Sequence, residues 1–202
     1  MRKIFLFMMV SLDGYFEGPD HDLSWHHVDA DFNKYAIEQT GSIDTLLFGR
    51  KTYQLMEGYW PTDAGIKDDP QVASLMNNTP KVVFSKTLDK VTETANWKHV
   101  RLVKDNAIEE VKKLKEQSDP PSQSSGEAKK FMAIYGSNNF AVSLMEHGLI
   151  DEVRIIIAPV AIGNGTPLFA GLKSKLELKL LQEPRTFKNG NVLIVYAPAK
   201  QS

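Results

Sequence analysis

Residues 131–169 restrict the possible folds more than any other stretch. Residues 131–135, FMAIY, are a short, apolar, aromatic-rich run of the kind a buried strand needs. Gly136 breaks it where the chain must turn, and the Ser137 hydroxyl suits a helix cap, since it can accept a backbone N–H two or three residues on. Phe140, Leu144 and Met145 then recur at helical spacing. Gly148 stops the helix where a left-handed residue is wanted, with Leu149 behind it to fold back onto the last turn. Residues 154–160 are mostly β-branched and aliphatic, which suits a central strand. Strand, turn, helix and strand follow one another. At the turn, the positive end of the helix dipole and its N–H groups make a setting for a phosphate.

The same alternation runs through the rest of the chain. Residues 3–10 read as a buried first strand and not a signal sequence, because SLDG follows without a small-residue cleavage pattern. A loop rich in Gly, Pro, Asp and His covers 13–27. Asp29 is placed to cap a helix running to about Thr40, with Phe32, Tyr35 and Ala36 on one face and Gly41 at its end. Residues 44–48 form a second strand, and Gly49, Arg50, Lys51 and Thr52 open a helix carrying Tyr53 and Met56. Residues 59–80 are polar, with Pro61, Pro70 and Pro80, and hold one short helix at 70–77. Strands follow at 81–84 and 99–103, then a helix capped by Asn106 with Ile108, Val111 and Leu114 inward.

Residues 118–130, SDPPSQSSGEAKK, lack an apolar anchor and read as a mobile loop. The strand after them is needed by the same core, so a single domain is expected over 1–202. Beyond Phe169 the pattern changes to alternation: Leu176, Leu178 and Leu180, then Phe187, then Val192, Ile194 and Tyr196. Asn189, Gly190 and Asn191 separate the runs, as in a C-terminal antiparallel hairpin. The expected class is α/β, with a mostly parallel central sheet, helices on both faces and that hairpin closing it.

A net charge of −1 gives no global field for nucleic acid or an anionic membrane, and neither partner is expected. No apolar run approaches the ~20 residues of a spanning helix. The lack of cysteine excludes disulfides and thiolate metal sites, and a reducing cytoplasm is the expected setting. The five histidines have no ligand spacing of the His-Glu-x-x-His type, so no metal is expected.

Three turns share a feature. Those at 49–52, 85–87 and 136–138 each follow an apolar strand and offer hydroxyls, N–H groups or cations at its carboxyl end. In open α/β sheets, ligands bind at that edge. Arg50 would hold a phosphate by its fork, Lys51 and Lys86 as point charges. The dinucleotide fingerprint G-x-G-x-x-G is missing, and so is the nucleophile elbow G-x-S-x-G. Trp25, Tyr59 and Trp60 are flat rings that either stack on a ligand or pack at a rim.

FGRKTY at 48–53, VVFSKTL at 82–88, IYGS at 134–137, LIDE at 149–152 and APVAIGNGTPLF at 158–169, with VSLDG at 10–14, resemble the dihydrofolate reductase superfamily. The branch resembled is the one similar to the reductase domain of the bifunctional riboflavin-biosynthesis deaminase-reductase. The resemblance covers nearly the whole chain in order, and 151–169 is its most specific part.

The resemblance implies a three-layer dihydrofolate reductase-like sandwich, NADPH as cofactor and a homodimer. It implies hydride transfer to a small heterocyclic or carbonyl acceptor, as by 5-amino-6-(5-phosphoribosylamino)uracil reductase. It brings Gly49, Arg50, Lys51 and Thr52 to the adenosine end and pyrophosphate, Ser85 and Lys86 to the 2′-phosphate, and Gly136, Ser137 and Asn138 to the remaining phosphate. It puts Gly163, Asn164 and Gly165 in a loop beside the nicotinamide or substrate, and Asp13 and Gly14 where hydride leaves. Trp25 lies in the loop that would choose the substrate. A proton must usually accompany the hydride, and Asp31 and Asp13 are the candidate catalytic carboxylates.

That loop carries Trp25, His26 and His27 but no phosphate clamp, which counts against a phosphoribosyl substrate. No His-x-Glu with paired cysteines exists, so the chain carries no zinc deaminase. Two further readings stand beside the reductase. Authentic dihydrofolate reduction would need a buried acid on the first helix. A nucleotide-sensing module would bind the coenzyme without turnover.

Overall fold

The computed structural model describes residues 1–117, 131–136 and 138–199. The expected loop at 118–130 and the Ser137 cap lie outside the described residues. In chain order the first elements are β1 (Lys3–Ser11), β2 (Tyr15–Glu17), α1 (Ala30–Gly41), β3 (Ile43–Gly49), α2 (Arg50–Glu57), α3 (Asp63–Asp68), α4 (Pro70–Asn78), β4 (Lys81–Phe84) and β5 (Val100–Val103). Then come α5 (Ala107–Glu116), β6 (Phe131–Tyr135), α6 (Asn138–Glu146), β7 (Glu152–Ala158), β8 (Thr166–Pro167), β9 (Leu178–Leu180), β10 (Arg185–Thr186) and β11 (Val192–Pro198). The class is mixed α/β, mostly parallel, with antiparallel strands at the C-terminal end. Contacts gather into two compact units, Met1–Ile4 with Tyr35–Ser137 and Phe5–Lys34 with Asn138–Ser202.

The first unit is built on four parallel strands in the order β6, β3, β4, β5. Both faces of β3 are covered, from Ile43 through Phe48, as parallel strands require. That burial includes Asp44, whose carboxylate is met by the guanidinium of Arg2. Arg2 also donates to Thr45 Oγ1 at 2.6 Å and to the Leu114 carbonyl at 3.4 Å, so it fastens β3 to the end of α5. Removing one member would leave the other charged and buried, a change that typically costs about 3–5 kcal/mol.

The second buried charge is Lys81, at the start of β4. Its ammonium donates to the carbonyls of Asn77 at 3.0 Å, Thr79 at 2.7 Å and Lys98 at 3.1 Å. It also lies over the Trp97 ring, 4.3 Å from the centroid. Two of these carbonyls close α4, where a helix leaves its C=O groups unpaired.

The second unit pairs β1, from Phe5 to Ser11, in parallel with β7, from Glu152 to Ala158. Strand β11 runs antiparallel along the other side of β7, and β10 and β9 share the far edge of β11. The turn at 189–191 forms as the hairpin pattern predicts: Phe187 N–H donates to the Asn191 carbonyl at 2.9 Å, and Asn191 N–H to Asn189 Oδ1 at 3.0 Å. Helix α6 closes with two bonds, Leu149 N–H to Leu144 C=O at 2.9 Å and Gly148 N–H to Met145 C=O at 3.0 Å. This is the cap that Gly148 and Leu149 predict.

Three local expectations differ. Residues 59–80 hold two helices, because Thr62 Oγ1 accepts Gly65 N–H at 3.2 Å and starts α3 before Asp69 starts α4. Asn106 precedes α5 but caps nothing with its side chain; its backbone is left-handed, with φ 54°. Residues 13–27 are not all loop, since β2 pairs with β8.

Burial pulls the Lys81 pKa down to about 7, opposed by the charge of Glu93. An unfolded lysine titrates near ~10.4, so between about pH 7 and 10 the unfolded chain binds more protons at this position than the folded one. Its contribution to stability therefore rises with pH across that window, by at most about 1.4 kcal/mol per pH unit. Urea unfolding from pH 7 to 9.5 should show a steeper rise for the native chain than for Lys81→Met; equal slopes would remove the assignment.

Candidate functional site

In the first unit, Gly49 stands opposite Phe84 in the β3–β4 register. The turns after β3 and β4 therefore leave from one edge, and β6, parallel to β3, ends toward the same edge at Gly136. Gly136 lies close against α2: it has φ 74°, and a Cβ there would meet Thr52 Oγ1 at 3.2 Å. Only glycine combines that backbone with that spacing. Thr52 is correspondingly buried.

Helix α2 begins at this edge. Gly49 is its N-cap and supplies no side-chain bond, and no acidic residue lies in its first turn. The positive end of the helix dipole is therefore not offset locally. Arg50 is exposed; its Nη1 donates to Thr87 Oγ1 at 2.8 Å and its Nε to Gln54 Oε1 at 3.4 Å. Ser85 Oγ accepts the N–H groups of Thr87 at 3.3 Å and Leu88 at 3.0 Å, which shapes the turn carrying Lys86. Lys51 and Lys86 are exposed and make no hydrogen bond or ion pair with the described residues. Arg50, Lys51 and Lys86 with the α2 N-terminus form a donor set of the right chemistry for a phosphorylated ligand. Thr87 and Gln54 were not singled out from the sequence; only the Ser85-Lys86-Thr87 turn hinted at the first.

In the second unit, segments 11–17 and 160–168 are laced together. Asp13 Oδ2 accepts Gly163 N–H at 2.8 Å and Oδ1 accepts Ile162 N–H at 3.2 Å. Leu12 N–H donates to Val160 C=O at 2.7 Å, Leu168 N–H to Gly14 C=O at 3.1 Å, and Thr166 Oγ1 to Glu17 Oε1 at 2.8 Å. Gly165 is required here, because a Cβ would stand 2.1 Å from the Glu17 carbonyl oxygen. Asn164 is exposed and its Oδ1 accepts Gly165 N–H at 2.9 Å.

The Ser11 hydroxyl, then the Gly163 N–H, holds the Asp13 carboxyl below its ordinary range. Asp13 is thus an ionised acceptor at neutral pH that ties two loops together.

The other named residues are placed differently from one another. Asn138 is buried, and its Nδ2 donates to the carbonyls of Pro167 and Leu168, both at 2.8 Å, so its amide is engaged inside the unit. Asp31 sits in the first turn of α1 and approaches Arg185 Nη2 at 3.4 Å, while Asp29 caps that helix by accepting Phe32 N–H at 2.8 Å. Trp25 is buried, with its indole N–H on the Asp22 carbonyl at 3.1 Å, and packs edge-on to His26. Burial pushes His26 down to about 4, so it carries no charge at neutral pH. A hollow of about 430 Å³ in this unit is lined by apolar residues, among them Val10, Ile155, Ile157, Leu178, Ile194 and Tyr196. No charged side chain is among its lining residues. No helix among the described residues is long and apolar enough to cross a membrane.

The Asp13 clamp is present above the ordinary carboxylate range and is lost as pH falls through the lowered folded value. Asp13→Ala should speed amide hydrogen exchange at Ile162 and Gly163 while leaving β1 and β7 protected. Unchanged exchange at both amides would contradict the clamp.

The model of the RibD C-terminal domain family matches residues 2–193. The uncharacterized protein YyaP of Bacillus subtilis strain 168 is 33% identical over 195 residues, covering 96% of this chain and 94% of that one. The diaminohydroxyphosphoribosylaminopyrimidine deaminase/5-amino-6-(5-phosphoribosylamino)uracil reductase of Thermotoga maritima superposes with a TM-score of 0.66 at 17% identity. That match takes in 98% of this chain and 57% of the Thermotoga chain. Dihydrofolate reductase from Enterococcus faecalis, solved with NADP(H), superposes with a TM-score of 0.60 at 14% identity, over 98% and 97% of the two chains. The chain belongs to the RibD C-terminal domain family, and its fold is dihydrofolate reductase-like.

Proposed function

We propose that this chain is an NADPH-dependent reductase that passes hydride to a small heterocyclic or carbonyl acceptor. The observation that carries the reading is the rim of the first unit. Three cations, Arg50, Lys51 and Lys86, and the N-terminus of α2 lie at the carboxyl ends of adjacent parallel strands. Family membership supplies the reductase class. When bound, the reduced nicotinamide supplies the hydride.

The residues of this chain bind and orient. Arg50 is assigned to the adenosine end, beside the turn that it reaches through Thr87, and Lys51 to the phosphates nearest α2. Ser85 and Lys86 are assigned to the 2′-phosphate, the group that separates NADPH from NADH. Gly136 permits close approach at the end of β6. In the second unit, Asp13, Gly163, Asn164 and Gly165 are assigned to the surroundings of the reacting ring. The Asp13 clamp keeps segments 11–17 and 160–168 in one arrangement, which fixes position instead of leaving it to be ordered on binding. Asn138 supports the same segments from inside, through Pro167 and Leu168.

Proton delivery is assigned to Asp31 in preference to Asp13, because Asp13 is engaged by two N–H groups and held ionised. The acceptor is taken to be unphosphorylated. His26 is neutral and Trp25 is buried, so the loop before α1 offers no cation of its own at these two positions.

Binding of NADPH and NADH, followed by coenzyme fluorescence, tests the rim. Arg50→Ala and Lys86→Ala should each weaken NADPH by about tenfold, the size of one charge-assisted contact, and NADH far less. Equal losses for the two coenzymes would remove the 2′-phosphate assignment. With an acceptor found by screening NADPH consumption, Asp31→Asn should lower kcat by about 10²-fold or more and leave the NADPH dissociation constant unchanged. An unaltered kcat would exclude Asp31 as the donor.

A further inference from the structure

We infer that Thr87 sets the preference for a 2′-phosphorylated coenzyme, by holding the Arg50 guanidinium beside the turn that carries Lys86. The inference rests on the NADPH reading above and deepens it.

The turn is shaped first. Ser85 Oγ accepts N–H groups from both Thr87 and Leu88, and Ser85 N–H donates to the Val103 carbonyl at 3.0 Å. The position of Thr87 is therefore fixed from within the first unit. Its Oγ1 accepts from Arg50 Nη1 at 2.8 Å. Arg50 Nε reaches Gln54 Oε1 at 3.4 Å, one turn further along α2. The guanidinium is thus held at two points, one on its own helix and one on the neighbouring strand-end turn.

An exposed arginine samples many rotamers, and ordering it on binding opposes affinity. Thr87 orders it beforehand. A hydroxyl that accepts one hydrogen bond still has its own proton to donate. Thr87 can therefore offer that proton to the anion that Arg50 and Lys86 address. All three groups are exposed, so a phosphomonoester can reach them without displacing packed side chains.

The coenzyme without that phosphate gives this cluster nothing to hold. A merely structural Thr87–Arg50 contact would shift neither coenzyme, or both together. A specificity residue shifts one.

The test measures dissociation constants for NADPH and NADH with the full chain, for the native protein, Thr87→Val and Thr87→Ser, beside thermal unfolding of each. Thr87→Val, which keeps the shape and loses the hydroxyl, should weaken NADPH about tenfold and leave NADH within about twofold. Thr87→Ser should keep NADPH binding near the native value. Melting temperatures should coincide, since the residue is exposed. Losses of equal size for both coenzymes, or no loss for either, would overturn the inference while leaving nicotinamide binding in place. A native chain that binds neither coenzyme would instead overturn the NADPH reading, and this inference with it.

Discussion

A parallel sheet cannot be built without lining up the carboxyl ends of its strands along one edge, and the candidate site depends on that constraint. Each strand of the first unit runs the same way as its neighbours, so each turn at that edge faces the ligand side together. The chemistry is then a matter of what those turns contain. Gly136 lets the end of β6 come close to Thr52 of α2. The Ser85 hydroxyl shapes its turn, the Thr87 hydroxyl meets Arg50, and cations at 50, 51 and 86 supply charge. Changing any strand to antiparallel would send its turn to the other edge and take its donors away.

The arrangement needs a sheet that does not slip, and two buried charges show how the register is held. Apolar strands alone are slippery, since one aliphatic pair is much like the next. Arg2 joins Asp44 and Thr45 of β3 to the Leu114 carbonyl of α5, and no shifted register would give it the same partners. Lys81 does the same for β4, with carbonyls from the end of α4 on one side and from Lys98 on the other. Burying an ion is unfavourable by itself, and the shift of the Lys81 pKa toward neutrality shows that penalty. The return is specificity of pairing, which hydrophobic burial cannot supply.

Much of this was legible in the sequence, for local reasons. The strands at 131–135 and 81–84, the α6 cap at Gly148 and the turn at 189–191 depend on residues adjacent in the chain, so pattern and turn chemistry found them. The three strand-end turns were legible because each follows its strand directly. What could not be read were side-chain partners far apart in sequence. The sequence places Asn138 at a helix start but does not reveal that its side-chain amide serves carbonyls about thirty positions on. Nor does it reveal that the partners of Asp13 are N–H groups at 162 and 163. Asn106 had the right residue type for a cap, but its backbone is left-handed and its side chain makes no capping bond. Trp25 illustrates the remaining ambiguity: a flat ring in a loop suggests stacking, and only burial shows that it packs inward.

Those distant pairings also explain why the rim stands out. Arg2, Asp44, Lys81, Asp13 and Asn138 each engage a polar partner within the protein. Lys51 and Lys86 have no such partner among the described residues, in a chain whose 25 acidic residues outnumber its 24 lysines and arginines. What distinguishes them from other exposed lysines is their place, on two neighbouring strand-end turns beside Arg50 and the N-terminus of α2. Such a cluster cannot act at long range, because the net charge is only −1 and salt screens its field within about 8 Å. It suits a small anion at the edge of the sheet, where helix dipole, fork and point charges would add together. A polyanion such as nucleic acid would need a broad basic face, whereas the proposed coenzyme phosphate would need only this rim.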